Sequence, residues 1–168
     1  YLPDNADRKM AIICADFSLR DLRDAHAAMH WGQGYAYKDR VERLVEETED
    51  AKAQNLPVVW AMHFTPDPNQ GLGTRLLDTG NLLAEGARLG VKHILCGHTH
   101  KSDVYVLPGT SYTIHYAGTS ACIGNHQDTS IHLVDFFVDG LNLTFEQFEL
   151  SWNSDKGTFV ATKKWTEL

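Results

Sequence analysis

Apolar residues fall into short runs along the first hundred positions of this chain, and the runs alternate between two spacings. Residues 9–17, KMAIICADF, form a compact apolar run with a polar end, the pattern of a buried strand. Residues 18–37 are irregular, mixing histidine, glycine and aromatic side chains in HAAMHWGQGYAY, and read as a loop with at most one helical turn. From Lys38 the spacing changes. Val41, Leu44, Val45 and Ala51 recur at helical intervals while Glu42, Glu46, Glu47 and Glu49 face elsewhere, which predicts an amphipathic helix to about Gln54. LPVVWAM (56–62) reads as a second buried strand, entered through a proline and ending at His63. FTPDPNQG is loop by its prolines and glycine. Residues 74–89 carry a second helical pattern weakened by two glycines. VKHILC (91–96) is a third strand, running into Gly97 and His98. The order strand, helix, strand, helix, strand predicts a largely parallel α/β sheet.

Beyond Lys101 the texture is all β. DVYVL, SYTIHYAG, TSIHLVDFFV, LNLTFEQFEL and TFVATKKW are strand-like runs separated by Pro-Gly, Asp-Gly and Lys-Gly. The Asp-Gly inside FFVDGLNLTF is a strong hairpin signal. The expected architecture is therefore α/β units followed by an antiparallel sheet. A chain of 168 residues suits one domain. The net charge of -7, with no basic block, argues against a nucleic-acid surface. A small phosphorylated substrate stays compatible with it, because a bound metal supplies positive charge that a side-chain count misses. Cys14, Cys96 and Cys122 lie singly in apolar stretches and read as buried free thiols, which fits a reducing, cytoplasmic setting. No signal-peptide pattern is present and no apolar run approaches the length of a membrane span, so no membrane partner is expected. The Asn142-Leu143-Thr144 sequon is of a kind that arises often by chance.

Two of the strand patterns end in histidine, His63 in the first case and His98 with His100 in the second. In open α/β sheets, ligand sites form just outside the carboxyl ends of the strands. Neighbouring parallel strands would bring these residues together across 35 positions of sequence, and imidazole is the commonest metal ligand. An extended Gly97-His98-Thr99-His100 segment would point both histidines the same way and Thr99 away, with Gly97 easing the turn.

VVWAMHFTP followed by ILCGHTHK resembles the last two sequence blocks of the calcineurin-like metallophosphoesterases. In that family a strand-end histidine precedes a proline-containing loop, and a Gly-His-x-His block follows one helix later. The continuation IHYAGTSACIGN…SIHLVDFFVDG is similar to strands of the cyclic-nucleotide-phosphodiesterase-like branch. The resemblance spans roughly residues 9 to 165, and Gly-His-Thr-His is its most specific part. It implies a four-layer α/β/β/α sandwich, with residues 1–168 forming the carboxyl-terminal portion of one domain. It implies that His63 and His98 ligate the second of two divalent ions (Mn, Fe, Zn or Ni) and that His100 ligates the first. The implied activity is phosphodiester or phosphomonoester hydrolysis at a binuclear metal centre.

The family's upstream blocks, Asp-x-His, Gly-Asp-x-x-Asp and Gly-Asn-His-Asp, are not found before His63. Gly124-Asn125-His126 superficially matches the third but follows the Gly-His-Thr-His block, the wrong order. The chain is thus expected to begin after the third block, to supply three histidine ligands, and to be inactive alone. A further segment or chain completing the site, and a phosphoester substrate, are the expected partners. Missing strands would leave an open sheet edge and apolar surface. Two other readings stand beside this one. The chain could be a non-catalytic scaffold of the same fold, or a mononuclear metal module using only the three histidines. Gly97, Thr99, Thr65, Asp67 and His30 are candidate residues for positioning ligands or lining the substrate site, with Asn69 beside them. His30 stands four residues after His26, a helical spacing. Tyr35 and Tyr37 are expected to pack, and His93, His115 and His132 read as structural strand residues.

Overall fold

The computed structural model describes residues 9–18, 34–71, 74–117 and 130–167. In chain order the elements are β1 (Ala11–Ala15), β2 (Gly34–Tyr35), α1 (Lys38–Ala53), β3 (Val58–Met62), β4 (Leu76–Leu77) and α2 (Gly80–Arg88). These are followed by β5 (His93–Cys96), β6 (Val104–Val106), β7 (Thr113–Tyr116), β8 (Ser130–Asp139), β9 (Asn142–Asn153) and β10 (Thr158–Thr166). A five-stranded sheet has the order β1-β3-β5-β7-β6, and a three-stranded sheet the order β10-β9-β8. The first four strands of the larger sheet run parallel and β6 pairs antiparallel to β7. The fold is mixed α/β, parallel units followed by an antiparallel sheet. Among the described residues, no helix is long and apolar enough to cross a membrane.

Two segments depart from the pattern read in the sequence. The helix expected over 74–89 is confined to α2, because Arg75 bridges to Thr65 and Leu76–Leu77 pair in parallel with β2. The first of its two glycines, Gly80, sits at the helix start instead of its middle, where glycine costs less. The runs of β6 and β7 also do not open the antiparallel sheet. They extend the parallel one, and the antiparallel sheet begins only at Ser130. The Asp-Gly signal is realised, since Asp139 pairs with Asn142 and Gly140 takes φ 59°, the left-handed conformation such a turn needs.

Alternate residues of a strand face opposite sides, and this divides the core. Trp60, Ile94 and Ile114 are in register on one face of the large sheet and fully buried. Trp60 meets α1 through a hydrogen bond from its Nε1 to Thr48 Oγ1, 3.0 Å. It meets α2 at Gly86, where a Cβ would stand 2.6 Å from Trp60 Cη2, so only glycine lets that helix approach. On the other face His93 and His115 pack on the three-stranded sheet. The layers present among the described residues are therefore α, β and β. Leu133 and Phe137, on the outward side of β8, are 52% and 53% exposed.

β1 is less buried than its sequence suggests. It lies at one end of the sheet, with Ala11, Ile13 and Ala15 packed on the core while Ile12 is 54% exposed. Cys14 shares that exposed face, which corrects the expectation that every cysteine is buried. Cys96 is buried, and burial pushes its thiol up to about 12. Cys122 lies outside the described residues.

Candidate metal centre

β3 delivers His63 directly after its carboxyl end and β5 delivers His98 two residues after its own. Met62 and Cys96 are register partners, so the two loops leave the sheet side by side. The Gly97 amide donates to the His63 carbonyl, 3.1 Å. A Cβ on Gly97 would stand 3.3 Å from His63 Nδ1, so a side chain there would push the neighbouring imidazole by a few tenths of an ångström. Gly97 is not among the glycines with positive φ. The sharp turn falls on the histidines themselves, with φ 61° at His98 and 54° at His100, and the Thr99 amide donates to the Gly97 carbonyl at 2.7 Å. The extended segment expected from the sequence is thus replaced by a tight turn with two left-handed non-glycine residues. Such conformations are uncommon and concentrate at functional sites. Thr99 uses its hydroxyl on the backbone, accepting from the Lys101 amide at 3.4 Å.

His63 Nε2 and His98 Nδ1 lie 2.9 Å apart, with one ring nitrogen donating to the other, and the rings meet edge to face at 4.8 Å. Phe64 stands against both rings, at 4.9 Å from His63 and 4.7 Å from His98. Burial lowers the His63 pKa, the charges of His98 and His100 lower it further, and Asp16 opposes them. The ring is thereby held in its neutral, ligand-competent form. Two imidazoles on one tetrahedral zinc have their nitrogens about 3.3 Å apart, given Zn–N bonds of about 2.0–2.1 Å. The His63–His98 separation is a few tenths of an ångström short of that spacing, and joint ligation would also require the shared hydrogen bond to break and both lone pairs to turn toward one ion. His100 is exposed, and its charge is felt at His63. Among the described residues, no group of three or more His, Cys, Asp and Glu is arranged to hold a metal, so the donors of a second ion are not assembled.

Asp16 belongs to Asp-Phe-Ser, with no Asp-x-His motif to single it out in the sequence. It directly follows β1, the strand beside β3, and with His63 and Gly97 it lines an open groove of about 530 Å³. The strand-end rule that singled out His63 applies equally to it.

Thr65 and Asp67 lie beneath the site. Thr65 is fully buried and accepts from Tyr116 Oη at 3.0 Å, and Asp67 is 3% exposed. The Asp67 carboxylate accepts from Tyr105 Oη, from the Asn69 amide at 2.9 Å and from Gln70 Nε2 at 3.1 Å. Burial raises its pKa, but these hydrogen bonds outweigh burial and hold it below the usual value. Gln70 Oε1 in turn accepts from Lys101 Nζ at 3.1 Å, tying the His63 loop to the His98–His100 loop. Both residues position loops and do not touch the groove. Tyr105→Phe is expected to cost about 1–2 kcal/mol of stability and to move the Asp67 carboxyl titration toward the ordinary range, read by urea melts and carboxyl NMR shifts. An unmoved Asp67 would contradict that role. Tyr35 and Tyr37 pack on each other with ring centroids 4.9 Å apart. His26, His30 and Gly124-Asn125-His126 lie outside the described residues.

No protein-family model matches this chain, and no curated protein matches it. Solved structures are similar to it at low identity. A candidate 5′-nucleotidase from Staphylococcus aureus, in complex with α-ketoglutarate, is 11% identical with a TM-score of 0.40, covering 96% of this chain and 27% of that one. Vps29 from Entamoeba histolytica, complexed with Zn²⁺, is 12% identical with a TM-score of 0.38, covering 92% of this chain and 98% of that one. A conserved Streptococcus pneumoniae protein described as a predicted phosphoesterase is 12% identical with a TM-score of 0.36, covering 93% and 97%. The chain thus spans little more than a quarter of the first of these proteins and nearly all of the other two.

Proposed function

We propose that this chain supplies the histidine side of a metal-dependent phosphoester-hydrolysing centre of the calcineurin-like metallophosphoesterase type, in its cyclic-nucleotide-phosphodiesterase-like branch. The observation that carries the reading is the meeting of His63 Nε2 and His98 Nδ1 at 2.9 Å, outside the carboxyl ends of adjacent parallel strands. The VVWAMH and GHTH blocks support it. A divalent ion bound by this pair would polarise a phosphoryl oxygen. The chain's own residues do the rest of what is seen. His63 and His98 bring two ring nitrogens together, Gly97 leaves space beside His63, and Gln70 with Lys101 ties the two loops together. His100 stands ready as a ligand only with donors from outside the described residues. The two-ion centre and its substrate belong to a completed site, so the 168 residues alone are expected to hydrolyse phosphoesters negligibly. Turnover of bis-p-nitrophenyl phosphate with Mn²⁺ at an enzymatic rate by this chain alone would overturn the half-site reading.

A non-catalytic scaffold is the second reading, favoured by one fact: no group of three metal-competent side chains is assembled among the described residues. Calorimetric titration with Zn²⁺ and with Mn²⁺ separates the two. His98→Ala is expected to weaken metal binding by at least about tenfold, since it removes one of two first-hand donors. Equal affinity in wild type and variant would leave the scaffold reading standing.

A further inference from the structure

Between the two sheets, away from the histidine loops, three more histidines and a glutamine form a continuous array, buried at His93, His115 and Gln147 and half-buried at His132. His93 on β5 and His115 on β7 are 1% and 2% exposed, and Gln147 on β9 is fully buried. His93 Nδ1 meets His115 Nε2 at 3.2 Å, and His115 Nδ1 meets Gln147 Oε1 at 2.7 Å. The other end of the Gln147 amide meets His132 Nδ1 on β8, and His132 Nε2 meets Ser102 Oγ. At the far end His93 Nε2 faces the Leu143 carbonyl at 3.3 Å and Glu167 Oε2 at 3.7 Å.

Donor counting gives this array a direction. A neutral imidazole has one N–H and one acceptor nitrogen, and a carbonyl only accepts. If all three rings are neutral, His93 donates from Nε2 to Leu143. His115 must then donate from Nε2 to His93 Nδ1, and its Nδ1 must accept from the Gln147 NH₂. Gln147 Oε1 accepts from His132 Nδ1, and His132 Nε2 accepts the Ser102 hydroxyl proton. Every link is satisfied, with the amide nitrogen toward His115. With the amide oxygen toward His115, every link from His93 Nδ1 to Ser102 reverses, while His93 Nε2 still donates to Leu143. His115 Nδ1 donates to Gln147, His115 Nε2 accepts from His93 Nδ1, and His132 Nε2 donates to Ser102. His93 then needs a proton on both nitrogens, and Glu167 is placed to balance that charge. Two complete arrangements therefore exist, differing by one proton and a half-turn of one amide.

We propose that this array is a bistable, one-proton relay, in which uptake of one solvent proton leaves His93 protonated on both nitrogens, turns the Gln147 amide, and shifts the His115 proton from Nε2 to Nδ1 and the His132 proton from Nδ1 to Nε2. Ser102, two residues past His100, changes from donor to acceptor as it does so. No bond is lost in either state. The signal therefore passes from one edge of the sheet interface to the foot of the histidine loop without unfolding. The charged groups around the array set where it switches. Burial, Lys92 beside His93 and Lys163 beside His132 oppose proton uptake, while Glu167 and Glu149 favour it. His115 is held lowest, by burial and by its two histidine neighbours, with Gln147 acting the other way. The three rings titrate as a coupled unit. The inference does not depend on metal binding.

Long-range ¹H–¹⁵N NMR of the full chain reads each imidazole's tautomer, titrated from about pH 7.5 to about pH 4.5, below the ordinary histidine range. The expected result is that His132 changes from the Nδ1–H to the Nε2–H tautomer at the same midpoint at which His93 becomes doubly protonated. Glu167→Gln, at a partly exposed position, should shift both midpoints to lower pH together. In Gln147→Met, His132 should stop responding to His93. A His132 tautomer that ignores the His93 titration, or a Glu167→Gln shift confined to His93, overturns the relay.

Discussion

Trp60→Ala is expected to cost about 3–5 kcal/mol, most or all of the stability of a domain that has about 5–15 to lose. Trp60 is fully buried at the centre of β3 and joins the large sheet to both helices. It flanks Ile94 in the sheet, closes on Gly86 of α2, and donates to Thr48 Oγ1 of α1. The Thr48 hydroxyl itself donates to the Leu44 carbonyl at 2.6 Å, so it is spoken for on its donor side. Losing the indole leaves a cavity and a buried oxygen without its N–H. Trp60→Phe separates the two parts. It keeps most of the ring volume and loses the N–H, at an expected cost of about 1–3 kcal/mol. Urea melts of both variants check this. A Trp60→Ala loss below about 1 kcal/mol would mean that the two helices are not held through this side chain.

Acidification is the second large effect. Burial drops the His115 pKa to about 4, against about 6.5 for an unperturbed imidazole. Between those values the unfolded chain binds a proton at this ring that the folded chain does not. Stability therefore rises with pH across the window and falls as acid is added. At about 1.36 kcal/mol per unit, His115 alone removes about 3 kcal/mol between neutral pH and pH about 4. Burial also lowers His93 and His132, and the sign is the same for each. Asp67 adds a smaller loss at still lower pH, since its depressed carboxyl contributes stability only while ionised. Chemical denaturation at stepped pH should give a midpoint that falls steadily from neutral pH toward pH about 4. A flat midpoint across that range would show that the three rings are already protonated, or solvated, in the folded chain.

The parallel framework was legible in the chain because it rests on local patterns. The helical spacing from Lys38 matches α1 to within a residue, and the apolar runs of β3 and β5 fall where the sequence puts them. What failed was whatever a partner strand decides. Leu76 and Leu77 have helical spacing, yet they pair with β2, a contact no local window contains. Ile12 and Cys14 are as apolar as any strand residues, but their burial depends on what covers that face of β1. At the site, strand ends correctly brought His63 to His98. The left-handed turn at His98 and His100 was not visible, because positive φ is uncommon for any non-glycine residue, even histidine, and no local pattern marks it here. His93, His115 and His132 read singly as structural residues. Their assembly with Gln147 into one array is a property of two sheets facing each other, and no linear pattern carries it.

The central claim, that His63 and His98 jointly present Nε2 and Nδ1 to one metal ion, is tested most directly by the nitrogen resonances of those rings during a Zn²⁺ titration near neutral pH. The account predicts that His63 Nε2 and His98 Nδ1 shift together and saturate at the same zinc concentration, while His93, His115 and His132 stay in place. Zinc binding that moves other histidines and leaves this pair unchanged would contradict it.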